Sequence, residues 1–385
     1  MSPSSQGRFA HGPGLGTAAG LCLPAPRLAP SPGLPRFASV DALRGLTVAA
    51  MLLVNNPGDW GHVYRPLLHA AWHGCTAADL VFPLFLFLVG VSIALGISAR
   101  AEAGAERPAL QRAVLARALR IVALGLLLHL LAWWVLDAPH LRLWGVLQRI
   151  SVCFLVVGSL ALWTGPRAQW WLLGGALAGY AALLAYAGGV EPWSNPASRI
   201  DTRLFGPLLY RFDAATGRGH DPEGLLSTLG ALATTLIGLR AGAWLRTGRL
   251  TRLWAAGAAA LALGALGAQA LPLNKNLWTP SYVLWTAGWA LLALAAAHVL
   301  VDRRGWPPLG RRFGSNAIVA YAGSAAMVYL LIAAGWLEPL YRIGFGWLAP
   351  LFGPFLPSLA FAVAFVAVWW AVVYAMDRRG WYPRI

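Results

Sequence analysis

Three histidines crowd the stretch Asn55–Pro83, NNPGDWGHVYRPLLHAAWHGCTAADLVFP, where His62, His69 and His73 stand among Trp60, Trp72, Asp59 and Asp79. Imidazole suits proton transfer or nucleophilic attack because its unperturbed pKa lies near neutrality. It needs a partner that holds one tautomer and orients the ring. Asp79 is the nearest candidate, since a carboxylate at the start of an apolar run is costly unless it has a partner or a task. His69 and His73 are four residues apart and would share a helix face, a spacing that also suits a metal. Nothing compels a third and fourth ligand, so no metal is expected. The plainer alternative is an interfacial turn with Trp and His at head-group depth.

Two further clusters carry polar chemistry. His220-Asp221-Pro222-Glu223-Gly224 makes a tight turn with two carboxylates, although acids at a helix start also complement its dipole. Asn274-Lys275-Asn276-Leu277-Trp278-Thr279-Pro280-Ser281-Tyr282 offers amides, one cation and aromatic faces, a mixture found in sugar sites and in ordinary interfacial loops. Lys275 is the one lysine among 30 basic residues; a lone lysine in an arginine-biased chain is a candidate for chemistry, with chance the alternative. Arg149, within LQRI, is a charge inside an apolar run and needs an explanation. Cys22, Cys75 and Cys153 are far apart with no CxxC pair, so neither a disulfide framework nor a zinc site is expected.

The elements that must position these groups are membrane helices. Of 385 residues, 58% are hydrophobic and 11% charged, and mean hydropathy is +0.60; a soluble domain carries about 25% charged residues. Ten apolar stretches fall near 41–56, 79–99, 113–136, 144–164, 169–187, 225–245, 252–271, 280–301, 314–334 and 356–376, each close to the ~20 residues that cross a bilayer as helix. The expected fold is all-α, a polytopic membrane bundle. Residues 37–385 form the membrane domain. Residues 1–36, rich in Pro, Gly and Ser, read as disordered; Leu21, Cys22 and Leu23 are hemmed in by Pro24 and Pro26, too short for a signal peptide, and a later start site is an alternative.

Charge sets the expected orientation. Arginines gather between the second and third, sixth and seventh, and eighth and ninth stretches and in the C-terminal tail, so these loops and both termini are expected in the cytoplasm. The intervening loops, which hold the three clusters, then face the periplasm of a bacterial inner membrane. The net charge of +16 follows from this topology, and nucleic-acid binding is not expected.

The segments SVDALRG (Ser39–Gly45), HAAWHGCTAADLVFPLFLFLVG (His69–Gly90), GVLQRI (Gly145–Ile150), DPEGLL (Asp221–Leu226) and NKNLWTPSYV (Asn274–Val283), in this order, resemble the heparan-α-glucosaminide N-acetyltransferase family. The resemblance spans most of the membrane portion. It implies acetyl transfer from cytosolic acetyl-CoA to the amine of a glucosamine-type sugar across the membrane. It makes His69 the active-site histidine, with Asn55 and Asp79 the matching site asparagine and aspartate. The Asn55–His69 spacing looks longer than in the lysosomal member, and the N-terminal luminal region of that member is missing. Bacteria do not as a rule make heparan sulfate, so a smaller amino sugar or a cell-wall saccharide is the expected acceptor.

Two routes fit His69: attack on the thioester to give an acetyl-histidine, or general-base action on the sugar ammonium with both substrates bound. Asn55, Asn276 or Lys275 are candidates for the oxyanion; Asp221 or Glu223 for the sugar amine or hydroxyls; Trp72 or Trp278 for the sugar face; Asn274 and Tyr282 for further acceptor contacts; and Arg149 for a donor phosphate or the thioester region. The bilayer and a saccharide are the expected partners, and a homodimer is left open. The rival reading is an amino-sugar transporter, although no internal repeat of the kind many transporters carry is visible.

Overall fold

The computed structural model describes residues 36–187 and 189–383. The expectation for residues 1–35 lies outside the described residues; Arg36 is described and pairs with Asp41 at 2.8 Å. The membrane helices are α1 (Ala38–Asn55), α2 (Ala77–Glu102), α3 (Arg107–Val135), α4 (Val146–Trp163) and α5 (Pro166–Tyr186). A short helix α6 (Pro196–Phe205) and a hairpin β1 (Arg211–Asp213) with β2 (Arg218–His220) follow. Then come α7 (Thr228–Arg246), α8 (Leu250–Gly267) and α9 (Pro280–Arg303), the short α10 (Arg311–Ser315), α11 (Ala317–Ala333), α12 (Leu337–Phe352) and α13 (Phe355–Arg378).

Among the described residues nine helices are long and apolar enough to cross a membrane, or ten if the pair α11–α12, bent by 93°, counts as one span. The chain is a multi-pass, all-α membrane protein, because hydrocarbon leaves only helices or closed barrels able to satisfy their own backbone. Every expected stretch corresponds to a helix. The turn into α12 is a finding the apolar pattern does not convey: Gly335, at φ +69°, breaks the helix, and α12 leaves at nearly a right angle to α11.

Packing divides the bundle into centre and rim. In α7 and α2, 72% and 67% of the apolar window is buried, against 17% in α8 and 22% in both α3 and α5. The central pair meets through glycines. A Cβ on Gly90 would fall 2.0 Å from the Thr235 carbonyl, and one on Gly238 would fall 2.0 Å from the Phe87 carbonyl. The two backbones touch, as small residues allow in membrane interfaces.

Contacts sort the loops into two ends. At one end, the α1–α2 loop bonds to the start of α13 through Asp59 N to Ser358 Oγ, 3.0 Å, and to the α8–α9 loop through Gly74 N to the Leu273 carbonyl, 2.7 Å. Leu143 N reaches the Leu208 carbonyl there at 2.9 Å. At the other end, Arg246 holds Glu102 with 2.7 Å bonds, and Asp302 accepts from Ser39 N at 3.1 Å. All three polar clusters lie at the first end.

Candidate active site

The site starts with how α2 begins. Thr76 caps the helix, and Asp79 at its third position closes a reciprocal capping box, satisfying N–H groups that the first turn leaves free. Asp79 Oδ2 accepts from Thr76 N at 3.0 Å, Ala70 N at 3.0 Å and Thr76 Oγ1 at 3.1 Å. Its side chain is fully buried. The other oxygen, Oδ1, lies 2.8 Å from His69 Nδ1. An ionised carboxylate only accepts, so this bond assigns Nδ1 the proton and leaves Nε2 its lone pair. The His69 side chain is 39% exposed.

Pro83, one turn into α2, has no N–H for the Asp79 carbonyl. Tyr282 Oη on α9 donates to that carbonyl at 2.5 Å instead. Tyr282 is fully buried, with its hydroxyl committed to that carbonyl rather than exposed. It fixes the backbone from which Asp79 reaches His69.

The 274–279 loop supplies the cation. Asn274 is fully buried. Its Oδ1 accepts from Leu277 N at 2.8 Å, and its Nδ2 stands 3.3 Å from His73 Nδ1. Trp278 adopts φ +52°, a conformation non-glycine residues hold only where surroundings impose it. Its Nε1 donates to Thr234 Oγ1 at 3.1 Å, and the Tyr180 hydroxyl binds the Leu277 carbonyl at 2.5 Å. Trp278 is fully buried under Phe82 and Tyr282, so it presents no open face for a sugar. Asn274 and Trp278 are loop-building residues rather than the exposed contacts expected of them.

The rigid loop places Lys275 Nζ 3.0 Å from His69 Nδ1, 3.2 Å from Nε2 and 3.6 Å from Asp79 Oδ1. Burial pushes the Lys275 ammonium below its ordinary range, opposed by the Asp79 and Glu223 carboxylates. Asn276 is half-buried beside it. Imidazole, carboxylate and ammonium thus meet at this end of the bundle.

The second cluster is closed by a residue the sequence reading passed over. Arg142, in the α3–α4 loop, donates to Asp221 Oδ2 at 3.0 Å, Asp221 Oδ1 at 2.6 Å and Glu223 Oε2 at 2.5 Å. Asp221 also accepts from Tyr210 N and Glu223 N, both at 2.9 Å, so both its oxygens are committed and its side chain is fully buried. Glu223 keeps Oε1 uncommitted, and its side chain is 10% exposed. The only signal for Arg142 is its position, an arginine in a short loop at the acid-bearing end.

Arg149 is fully buried. Its guanidinium bonds to the Gly224 carbonyl at 3.1 Å and to Ser227 Oγ, and lies 5.0 Å from the Trp278 ring centre. It ties the Asp221–Ser227 turn to the lysine loop, with Nε and Nη1 unpartnered. It lies among the site residues rather than at the arginine-rich end. Trp72 is half-buried, donates to the Val190 carbonyl at 2.8 Å and packs on His220, ring centres 5.0 Å apart. Burial holds His220 down at about 4. Asn55 ends α1, exposed, and the structure does not bring it to His69. His62 pairs with Asp59 at 2.7 Å beside a small cleft lined by Pro57, Tyr64 and Ser358, apart from His69. Among the described residues no group of three or more His, Cys, Asp or Glu is arranged to hold a metal.

A family model described as heparan-alpha-glucosaminide N-acetyltransferase, catalytic, matches residues 36–212. That range covers His69, Asp79, Arg142 and Arg149, and ends before the 220–227 turn and the lysine loop. The human heparan-alpha-glucosaminide N-acetyltransferase is 29% identical over 358 residues, covering 75% of this chain and 52% of the relative. The mouse protein of the same name is 28% identical over 361 residues, covering 75% and 53%. The chain spans about half the length of these curated relatives.

Proposed function

We propose, from its similarity to the heparan-alpha-glucosaminide N-acetyltransferases, that the chain is a member of that family and transfers an acetyl group from acetyl-CoA across the membrane to the amine of a glucosamine-type sugar. The observation that carries the reading is the His69–Asp79 pair at 2.8 Å with Lys275 against the same ring, with the His69 side chain 39% exposed. By the positive-inside rule the arginine-rich end and both termini face the cytoplasm and His69 faces outward, toward the periplasm of a bacterial inner membrane.

The chemistry assigned to each group follows from its position. His69 Nε2 either takes a proton from the sugar amine or attacks the thioester carbon. In the first route the amine nitrogen bonds to the acetyl carbon, the C–S bond breaks, and the coenzyme thiolate receives the proton. In the second, Nε2 bonds to the acetyl carbon as the C–S bond breaks and the coenzyme thiolate leaves; the amine nitrogen then bonds to that carbon, the bond to Nε2 breaks, and the amine proton passes to the thiolate. Asp79 orients the ring and favours positive charge on it. Lys275 is the nearest cation to a developing oxyanion, where a fixed charge acts more strongly than in water. Of the two carboxylates in the Asp221–Ser227 turn, Glu223 is the one with a free oxygen to receive an ammonium or hydroxyl. Arg149, with two unpartnered guanidinium nitrogens, Nε and Nη1, has donors for a carbonyl of the pantetheine arm as it threads from the cytoplasmic side.

The test supplies purified protein in vesicles with acetyl-CoA carrying a labelled acetyl group and with glucosamine on the opposite side, and follows product by mass spectrometry. Labelled N-acetylglucosamine is the expected result. Glucosamine binding or flux, with no acetylated product from any amino sugar or cell-wall saccharide tried, would favour the transporter.

A further inference from the structure

The amine that stands against His69 in the structure belongs to the protein itself. Asp79 Oδ1 accepts from His69 Nδ1 at 2.8 Å, so the lone pair of the ring is on Nε2, and Lys275 Nζ lies 3.2 Å from that atom. The proposed chemistry gives this place to the amine of the acceptor. The separation falls within the ~3–3.5 Å of a near-attack arrangement, and it lets a proton pass from Nζ to Nε2. Lys275 is the one lysine of the chain. The α8–α9 loop holds it in place: Trp278 N donates to the Lys275 carbonyl at 3.2 Å, and Thr279 N to the Asn274 carbonyl at 3.1 Å. The Lys275 side chain is 17% exposed, so it keeps contact with solvent, as His69 does.

Its surroundings suit attack. Burial pushes the Lys275 ammonium below its ordinary range, against the pull of Asp79 and Glu223, and a proton held less firmly is what an attacking amine needs. Cys75, the other nucleophile within electrostatic reach of Asp79, is pushed the opposite way. Burial and the Asp79 carboxylate raise its thiol to about 12, and its Sγ donates to the Thr76 carbonyl at 3.7 Å. A thiol that keeps its proton is a poor nucleophile, so the lysine amine has no rival there.

We propose that Lys275 is a site of self-acetylation: with an acetyl thioester bound and no acceptor amine in place, Nζ takes the acetyl group. The inference rests on the acetyl-transfer reading of His69. His69 Nε2 takes a proton from the ammonium, Nζ bonds to the acetyl carbon, the C–S bond breaks, and its electron pair leaves on the coenzyme thiolate. Of the two protons that the ammonium gives up, one ends on that thiolate and the other in water. Where Nε2 has taken the acetyl group first, Nζ bonds to the same carbon and the bond to Nε2 breaks. The product is a neutral amide, so the modification removes the positive charge that lies against the ring.

The experiment incubates the full chain, in phosphatidylcholine nanodiscs, with acetyl-CoA carrying a labelled acetyl group and no acceptor, and maps the label by mass spectrometry of peptides. One labelled acetyl group on Lys275 is expected in the folded protein, and none over the same time in protein unfolded with dodecyl sulfate. His69→Gln is expected to lower the initial rate of labelling about 100-fold or more, the scale of a lost general base. The unfolded control needs no variant, so the test holds even where His69→Gln does not fold. Labelling of Lys275 as fast in the unfolded protein, or in a folded His69→Gln, is thioester chemistry in solution and overturns the inference. Glucosamine acetylated by the parent while Lys275 stays unlabelled also overturns it, and leaves the proposed function standing. Lys275 labelled in the folded parent alone, with no transfer to any acceptor, sinks the proposed function and leaves the self-acetylation site.

Discussion

Replacing Asp79 by Asn tests the alignment of His69 with the least change in shape. The amide oxygen can take the place of Oδ2 and keep its three donors, Ala70 N, Thr76 N and Thr76 Oγ1. The NH2 group then faces His69 Nδ1, which must turn from donor to acceptor. The ring proton moves to Nε2, the atom the chemistry needs free. Loss of a correctly disposed base costs about 10²–10⁴ in rate, or about 3–5 kcal/mol of barrier. Lys275 also loses the carboxylate 3.6 Å away. Because the helix cap survives, stability should fall by only about 1–3 kcal/mol. Acetyl transfer to glucosamine under saturating donor, with thermal unfolding of the same sample, separates the two effects. Turnover close to that of the unaltered protein in a folded Asp79→Asn would refute the alignment argument.

Three other outcomes follow from the geometry. Gly90→Ala sets a methyl 2.0 Å from the Thr235 carbonyl and should lower stability by about 1–3 kcal/mol through overpacking, read as a fall in Tm. Arg142→Gln strands Asp221 and Glu223 without their cation and should cost about 3–5 kcal/mol; an unchanged Tm would show that the triad holds nothing. The outer loops contain two opposed titrations. Burial raises Asp201 to about 6 and lowers His220 to about 4. Asp201 favours the protonated fold, so its stabilisation is present at low pH and fades as pH rises from its ordinary 3.8 to about 6. His220 favours the neutral fold, so its stabilisation is present at high pH and fades as pH falls from 6.5 to about 4. Together they nearly cancel. Hydrogen exchange of α6 and β2 should therefore slow with rising pH-corrected stability in Asp201→Asn and show the reverse trend in His220→Gln; matching trends in the two variants would contradict the assignment.

Much of the membrane architecture is legible in the chain because hydrophobicity and arginine placement act locally. The helix starting at Ala77 is visible from the Thr76/Asp79 spacing and the apolar run behind it. The nearness of Asp79 to His69 is suggested by ten residues of separation. What is not legible depends on where distant segments meet. Tyr282 matters because Pro83, 199 positions earlier in the chain, frees a carbonyl at the right place. Trp278 reads as a surface aromatic in an interfacial loop, and only the packing of α2, α7 and α9 shows it fully buried. Arg142 carries no local pattern, and its role appears only when the 206–224 segment folds over it. Asn55 ends α1 with its side chain exposed, a placement that its position in the motif does not convey.

The most direct measurement is the single-turnover rate of acetyl transfer by His69→Gln, in a sample whose unfolding and acetyl-CoA binding match the parent. Loss of transfer to the uncatalysed level, with both substrates still bound, is the predicted result. A rate comparable to the parent would mean that the imidazole at this end of the bundle takes no part in the reaction.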